Sequence, residues 1–104
     1  GNSFVHETES QVILNGSYNI NFTMDLVLKD TGLFDDLAKK LDAPLEISPK
    51  VVEIFKDGQK KYGSRAWSSM IVKRMEDANN INFRASGFPS ELTDNEPEEK
   101  GYEI

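Results

Sequence analysis

A chain of 104 residues with no cysteine and a single histidine has room for one domain with one small core, and it cannot build a disulfide framework or a thiolate or histidine-based zinc site. The net charge of −6 is concentrated near the end, where Glu91, Asp94, Glu96, Glu98, Glu99 and Glu103 face only Lys100, so this stretch carries −5 and the rest of the chain −1. That nearly neutral body lacks the basic face on which nucleic-acid binding depends, and no apolar run approaches the roughly 18 residues of a membrane span, so neither nucleic acid nor membrane is an expected partner.

The start, GNSFVHETES, has no initiator methionine and no basic region followed by an apolar block. Gly1 therefore reads as a remnant of expression, the chain as a fragment, and the absence of cysteine as compatible with a cytoplasmic setting. Phe4 to Leu14 mixes apolar and polar residues behind a Ser3 cap and stops at the turn-forming pair Asn15-Gly16, which predicts a short helix carrying His6 at its surface. Tyr18 to Asn21 is a connector. Phe22 to Leu41 then carries a long helical pattern without interior proline, with Gly32 as its weak point, and Asp42-Ala43-Pro44 ends it.

Ser48-Pro49 predicts the cap and first residue of the next helix. Val52, Ile54, Phe55 and Tyr62 supply its apolar surface, and Gly63 is expected to close it in a left-handed conformation. A last helix is predicted from about Ala66 to Asp77, because Trp67, Met70, Ile71 and Met75 recur at spacings of three and four, and Asn79-Asn80 follows it. The expected fold is all-α, a bundle of three or four helices around Phe22–Leu41 within residues 1–83. Residues 84–104 are expected to form an acidic tail, either extended or disordered, or draped over a neighbouring subunit through Phe88-Pro89, Leu92, Tyr102 and Ile104.

The long helix holds the least ordinary position. At roughly 100° per residue, Phe22, Leu26, Leu33, Leu37 and Leu41 form one apolar stripe. A second apolar arc holds Met24, Val27, Leu28, Thr31, Phe34 and Ala38. Lys29 falls inside the first stripe and Asp30 on its flank. A buried ammonium is costly unless it meets a partner, so Lys29 asks for a cleft or an anionic ligand; otherwise it lies along its neighbours with its head in water, or pairs locally with Asp25 or Asp36. Other candidates read as structural: Trp67 as core or interface, Asp35-Asp36 and Glu98-Glu99 as solvated charge. Ser68-Ser69 has no histidine nearby to activate a nucleophile.

The pattern Phe22, Leu26, Lys29-Asp30, followed by Pro44, Val51-Val52, Phe55, Gly63 and Ser68-Ser69, closely resembles the C-terminal helical domain of the β-hydroxyacid dehydrogenases, the family of 3-hydroxyisobutyrate dehydrogenase and tartronate semialdehyde reductase. The resemblance covers Gly16 to about Val72, with Thr31 departing from the usual leucine. It implies a helical bundle of the 6-phosphogluconate dehydrogenase-like type, within an oxidoreductase that uses NAD or NADP on a small β-hydroxy acid and assembles as a homo-oligomer. In such enzymes the lysine matching Lys29 reaches the nicotinamide end of the coenzyme, the aromatic matching Phe22 helps wall the cleft, and Asp30 is expected to orient that wall or its helix. No residue matches the family's proton-donating lysine, nor is there a GxGxxG turn. The resemblance thus implies a missing N-terminal dinucleotide-binding domain and no catalysis by the fragment alone. The alternative reading is a standalone helical protein-interaction module with an acidic tail.

Overall fold

Ser3 adopts an extended conformation and its hydroxyl accepts a hydrogen bond from the His6 amide at 3.0 Å, so helix α1, Phe4–Asn15, begins where a side-chain cap satisfies an otherwise unpaired donor. A computed structural model describes residues 1–93, 95 and 97–102. Asp94, Glu96, Glu103 and Ile104 of the acidic tail, Ile104 being one of the expected draping positions, lie outside the described residues. Helix α1 ends at Gly16, whose φ of 92° lets its amide donate to the carbonyls of Val12 and Ile13. A Cβ built on Gly16 lies 2.6 Å from Nε of Arg84. Gly16→Ala thus combines left-handed strain with a displaced arginine. We expect a loss of about 1–2 kcal/mol, read as a fall in Tm of about 5–15 °C.

Helix α2 spans Met24–Lys40, so Phe22 lies outside the helix expected to contain it. The cause is a long-range pairing that periodicity does not report. Thr23 is extended and forms an isolated antiparallel bridge with Trp67, while the carbonyl of Phe22 accepts the Ser68 amide at 2.7 Å. The same pairing breaks the helix expected over Ala66–Asp77: Trp67 stays extended, a 3₁₀ helix covers Ser68–Val72, and α4 covers Lys73–Asn79. Between them, α3 spans Ser48–Tyr62 with Pro49 in its first turn. Ser48 does not cap this helix through its side chain; its hydroxyl donates to Asp35 at 2.6 Å and ties α3 to α2. Gly63, at φ 103° and ψ 154°, sits in a region open essentially to glycine alone, and turns the chain into the Ser64–Trp67 segment instead of closing α3 with the expected left-handed cap.

The described residues hold helices and no strand, as the sequence predicts. Helices α1, α3 and α4 each pack against the 3₁₀ helix, whereas α2 packs chiefly on α3. Met24, Leu28, Thr31, Asp35 and Ala38, spaced by three and four, form the face of α2 turned to α3; Met24 and Ala38 are buried, and the other three half-buried. Gly58 of α3 is also buried, because a Cβ there comes within 2.7 Å of Ile71 Cδ1 and 3.4 Å of Met24 Cε. Among the described residues, Val12, Tyr18, Met24 and Ala38 are the buried hydrophobics, matched by the buried polar set Thr23, Ser68, Ser69 and Glu76. So thin an apolar core gives the polar contacts unusual weight. The radius of gyration, 16.4 Å, exceeds the ~13 Å of a compact domain of about 100 residues, in line with the exposed, non-helical stretch that follows α4. No helix among the described residues is long and apolar enough to cross a membrane.

One polar contact joins the ends of α3 and α4. The Tyr62 hydroxyl donates to Asp77 at 2.7 Å, and burial followed by this carboxylate pushes the phenol up to about 12. The same hydrogen bond holds the Asp77 carboxyl below its ordinary value, with Lys73 adding to the effect. A raised phenol pKa stabilises the fold fully below pH 10 and loses that contribution as pH climbs toward about 12. The lowered carboxyl stabilises it above about pH 4 and loses its contribution on acidification. In thermal melts, Tyr62→Phe should therefore melt below the wild type at neutral pH. The two should converge near pH 12, and a gap that persists there contradicts the assignment.

Candidate functional site

The connector between α1 and α2 is held in an unusual conformation by contacts from three sides. Tyr18 and Asn21 both take left-handed backbone angles, at φ 55° and 57°. The Ser69 hydroxyl, fully buried, donates to the Tyr18 carbonyl at 2.6 Å, and the Ser68 amide holds Phe22. The Tyr18 hydroxyl donates to Glu76 Oε1 at 2.6 Å within the interior. Arg84 completes the cluster: its guanidinium donates to the Tyr18 oxygen at 2.8 Å, to Glu76 Oε2 at 3.3 Å and to the Ile13 carbonyl at 3.3 Å, and it lies 5.2 Å from the Tyr18 ring centroid. Burial, and after it the Glu76 hydrogen bond, raise the Tyr18 phenol above its ordinary value, so it stays a donor.

Beyond Phe22 the start of α2 is fixed by Asp25. The Thr23 hydroxyl donates to its carboxylate, the Leu26 amide donates at 3.0 Å, and Arg65 approaches at 3.4 Å. The Thr23 contact is the largest cause of a carboxyl held below the usual range. The amides of Met24 and Asp25 donate to the carbonyls of Ala66 and Ser64 at 2.9 and 3.1 Å. Phe22 thus leaves a rigid backbone at the edge of α2, with its side exposed to about a third, 36%.

Lys29 and Asp30 follow two turns later and both are exposed. Their ion pair measures 3.9 Å, with side chains 63% and 59% accessible. Such a pair contributes about 0–1 kcal/mol and hardly restrains the ammonium. Asp30 therefore replaces Asp25 and Asp36 as the local partner expected for Lys29; Asp25 is engaged by Thr23 and Arg65. Of the two apolar arcs, the one holding Met24, Leu28, Thr31 and Ala38 is turned to α3. The stripe carrying Lys29 points the other way, with Leu33, Leu37 and Leu41 left 63%, 53% and 69% exposed. A cation thus stands on an apolar strip that the described residues leave open, one edge of which ends at Phe22.

Comparison with known proteins shows the family to which the chain is related. Residues 1–75 fit the family model described as NAD-binding of NADP-dependent 3-hydroxyisobutyrate dehydrogenase. The chain belongs to this family. The L-threonate dehydrogenases of Escherichia coli K12 and Haemophilus influenzae are each 31% identical over 73 residues, covering 70% of this chain and 24% of the relative. The chain thus spans about a quarter of the length of those relatives. No solved structure matches it. Family membership makes it a relative of NAD(P)-dependent oxidoreductases of the β-hydroxyacid dehydrogenase type.

The remaining candidates fall to structural places. His6 is exposed on α1, Asp35 receives the Ser48 hydroxyl, Asp36 is exposed, and Glu98 and Glu99 are exposed in the tail. Trp67 is half-buried at the mouth of the 3₁₀ helix beside Thr23. The cluster of Tyr18, Glu76 and Arg84 escaped the sequence reading. A glutamate on the apolar side of α4 was its one available sign, and the partners come from distant segments.

Proposed function

We propose that this chain forms one wall of the coenzyme and substrate cleft in an NAD(P)-dependent β-hydroxyacid dehydrogenase, the dinucleotide-binding domain and the proton-donating lysine being supplied by the rest of the enzyme. The observation that carries this reading is the open strip of α2, where a weakly restrained ammonium at Lys29 stands among uncovered leucines with Phe22 at its end. The residue types suit the coenzyme. When bound, NAD or NADP supplies the hydride acceptor or donor. Lys29 provides a cation that can turn toward an anionic or carbonyl oxygen, Phe22 excludes water, and Asp30 orients the wall that carries them.

Leu33, Leu37 and Leu41 provide apolar area for a neighbouring domain or subunit, in keeping with a homo-oligomer whose helical domain takes part in association. Residues 1–83 form this helical unit in the proposal and residues 84–104 its tail. The relatives named for L-threonate point to a short hydroxylated acid as substrate. Two measurements test the reading. A full-length protein containing this chain should reduce NAD(P) with a small hydroxy acid, and the purified 104-residue chain should show no hydride transfer; turnover by the chain alone overturns the division of labour. An upstream reading frame encoding no dinucleotide-binding unit would support instead a helical interaction module with an acidic tail.

A further inference from the structure

Residues that follow α4 are drawn back across the chain. The Ala85 amide donates to the Leu14 carbonyl at 3.0 Å, the Asn15 carboxamide to the Phe88 carbonyl at 3.0 Å, and the Ser17 hydroxyl to the Ser90 carbonyl at 2.5 Å. With Arg84 at their head, these contacts pin a strap along the end of α1 and the connector. The strap ends in a cleft. Glu91 and Leu92 form one side of a cavity of about 430 Å³ whose other side is Asn19, Ile20, Asn21 and Trp67. Leu92 is half-buried where the other residues between 77 and 93 are exposed to a third or more, so the strap closes onto the cleft at this point.

The walls have a definite chemistry. Trp67 offers a flat apolar face, two carboxamides offer donors and acceptors, and Glu91 offers acceptors only. No lining residue is basic, and Glu91 opposes an anion, so neither a phosphate nor a carboxylate is held here. The backbone beneath is set in advance: the Asn19 side-chain oxygen accepts the Asn21 backbone amide at 3.3 Å through one of its lone pairs, and the Asn19 backbone amide donates to the Ser17 hydroxyl oxygen at 3.2 Å. The volume lies in the range of about 300–1,000 Å³ common to small-ligand sites. Hydroxyls on adjacent carbons both donate and accept, as this wall does, and the C–H face behind them suits an indole. An ammonium would use Glu91 and the carboxamide oxygens but leave the carboxamide N–H groups without an acceptor.

We propose that this cleft binds vicinal hydroxyl groups of a small polyhydroxylated ligand, with its carbon chain against Trp67. Two sources share that chemistry, a neutral polyol and the hydroxylated tail of an acid substrate whose carboxylate lies elsewhere; only the second rests on the dehydrogenase reading. Trp67 is the single tryptophan of the chain, so its fluorescence reports on the cleft directly. Titration with threitol should shift its emission saturably in the millimolar range, whereas 1,4-butanediol and butylamine should not. Asn21→Gly removes one carboxamide at a position whose positive φ glycine accepts, and should weaken threitol by about three- to tenfold with an unchanged Tm.

No saturable shift with threitol overturns the proposal, as does an equal response to butanediol or butylamine, or full affinity in Asn21→Gly. In the full-length enzyme, threitol that raises KM for L-threonate at constant kcat assigns the cleft to the substrate's tail. Unchanged KM assigns it to a separate polyol. The titration uses neither coenzyme nor Lys29, so its failure leaves the dehydrogenase reading intact, and a full-length protein without turnover leaves the titration to stand by itself.

Discussion

Lys29→Ala in a full-length protein containing this chain is expected to lower kcat/KM by about ten- to a hundredfold. The magnitude follows from the loss of one hydrogen bond to a charged donor, about 1.5–3 kcal/mol, at 1.36 kcal/mol per tenfold. The fold should not respond, since the Lys29 side chain is 63% exposed and its pairing with Asp30 spans 3.9 Å in water. A thermal melt within a degree or two of the wild type, beside a raised KM for coenzyme, therefore separates a contact with ligand from damage to structure. Lys29→Arg should recover part of the loss, because it keeps the charge while altering its shape. Kinetics indistinguishable from the wild type would mean that Lys29 only lies along the leucines of α2 with its head in water.

What the sequence could reveal of this site depended on whether the relevant contact is local. Helix α1 is bounded by Ser3 and Gly16, which act through hydrogen bonds a few residues long, and both ends are legible. The two arcs of α2 are also legible, but periodicity alone does not tell which arc meets α3. Met24 and Ala38 are the α2 residues that become buried, and the glycine at 58, which leaves room for Ile71 beside Met24, shows its role only once the elements are in contact. Phe22 reads as helical because its spacing to Leu26 and Lys29 continues the pattern. In the folded chain its carbonyl is taken by Ser68, forty-six residues away in sequence, and the helix starts after it. Ser68-Ser69 likewise offers no local sign of clamping the connector. The acidic composition of the tail conceals the attachments of Arg84, Ala85, Phe88 and Ser90, three of which run through backbone groups that any residue carries.

Arg84→Ala should be the most damaging single exposed-residue substitution for stability, at about 2–4 kcal/mol. Glu76 is 1% exposed, and its two oxygens are met by Tyr18 and by Arg84. Removing the arginine leaves a carboxylate with one partner in the interior, a change that ordinarily costs about 3–5 kcal/mol. The expected loss is shifted about 1 kcal/mol below that range because the Arg84 side chain is 37% accessible and water can follow it into the gap. The Tyr18 ring loses its covering cation in the same step, and the strap loses the contact with the Ile13 carbonyl. Against a core with few buried apolar residues, this is a large share of the ~5–15 kcal/mol that holds a domain folded. Pairing the change with Glu76→Gln gives a sharper measurement. With a neutral side chain at 76 the arginine matters less, so the double variant should lose less than the sum of the two single losses, by about 1–3 kcal/mol. Strict additivity in denaturant melts would show that Glu76 and Arg84 act independently and that the strap is held by its backbone contacts instead.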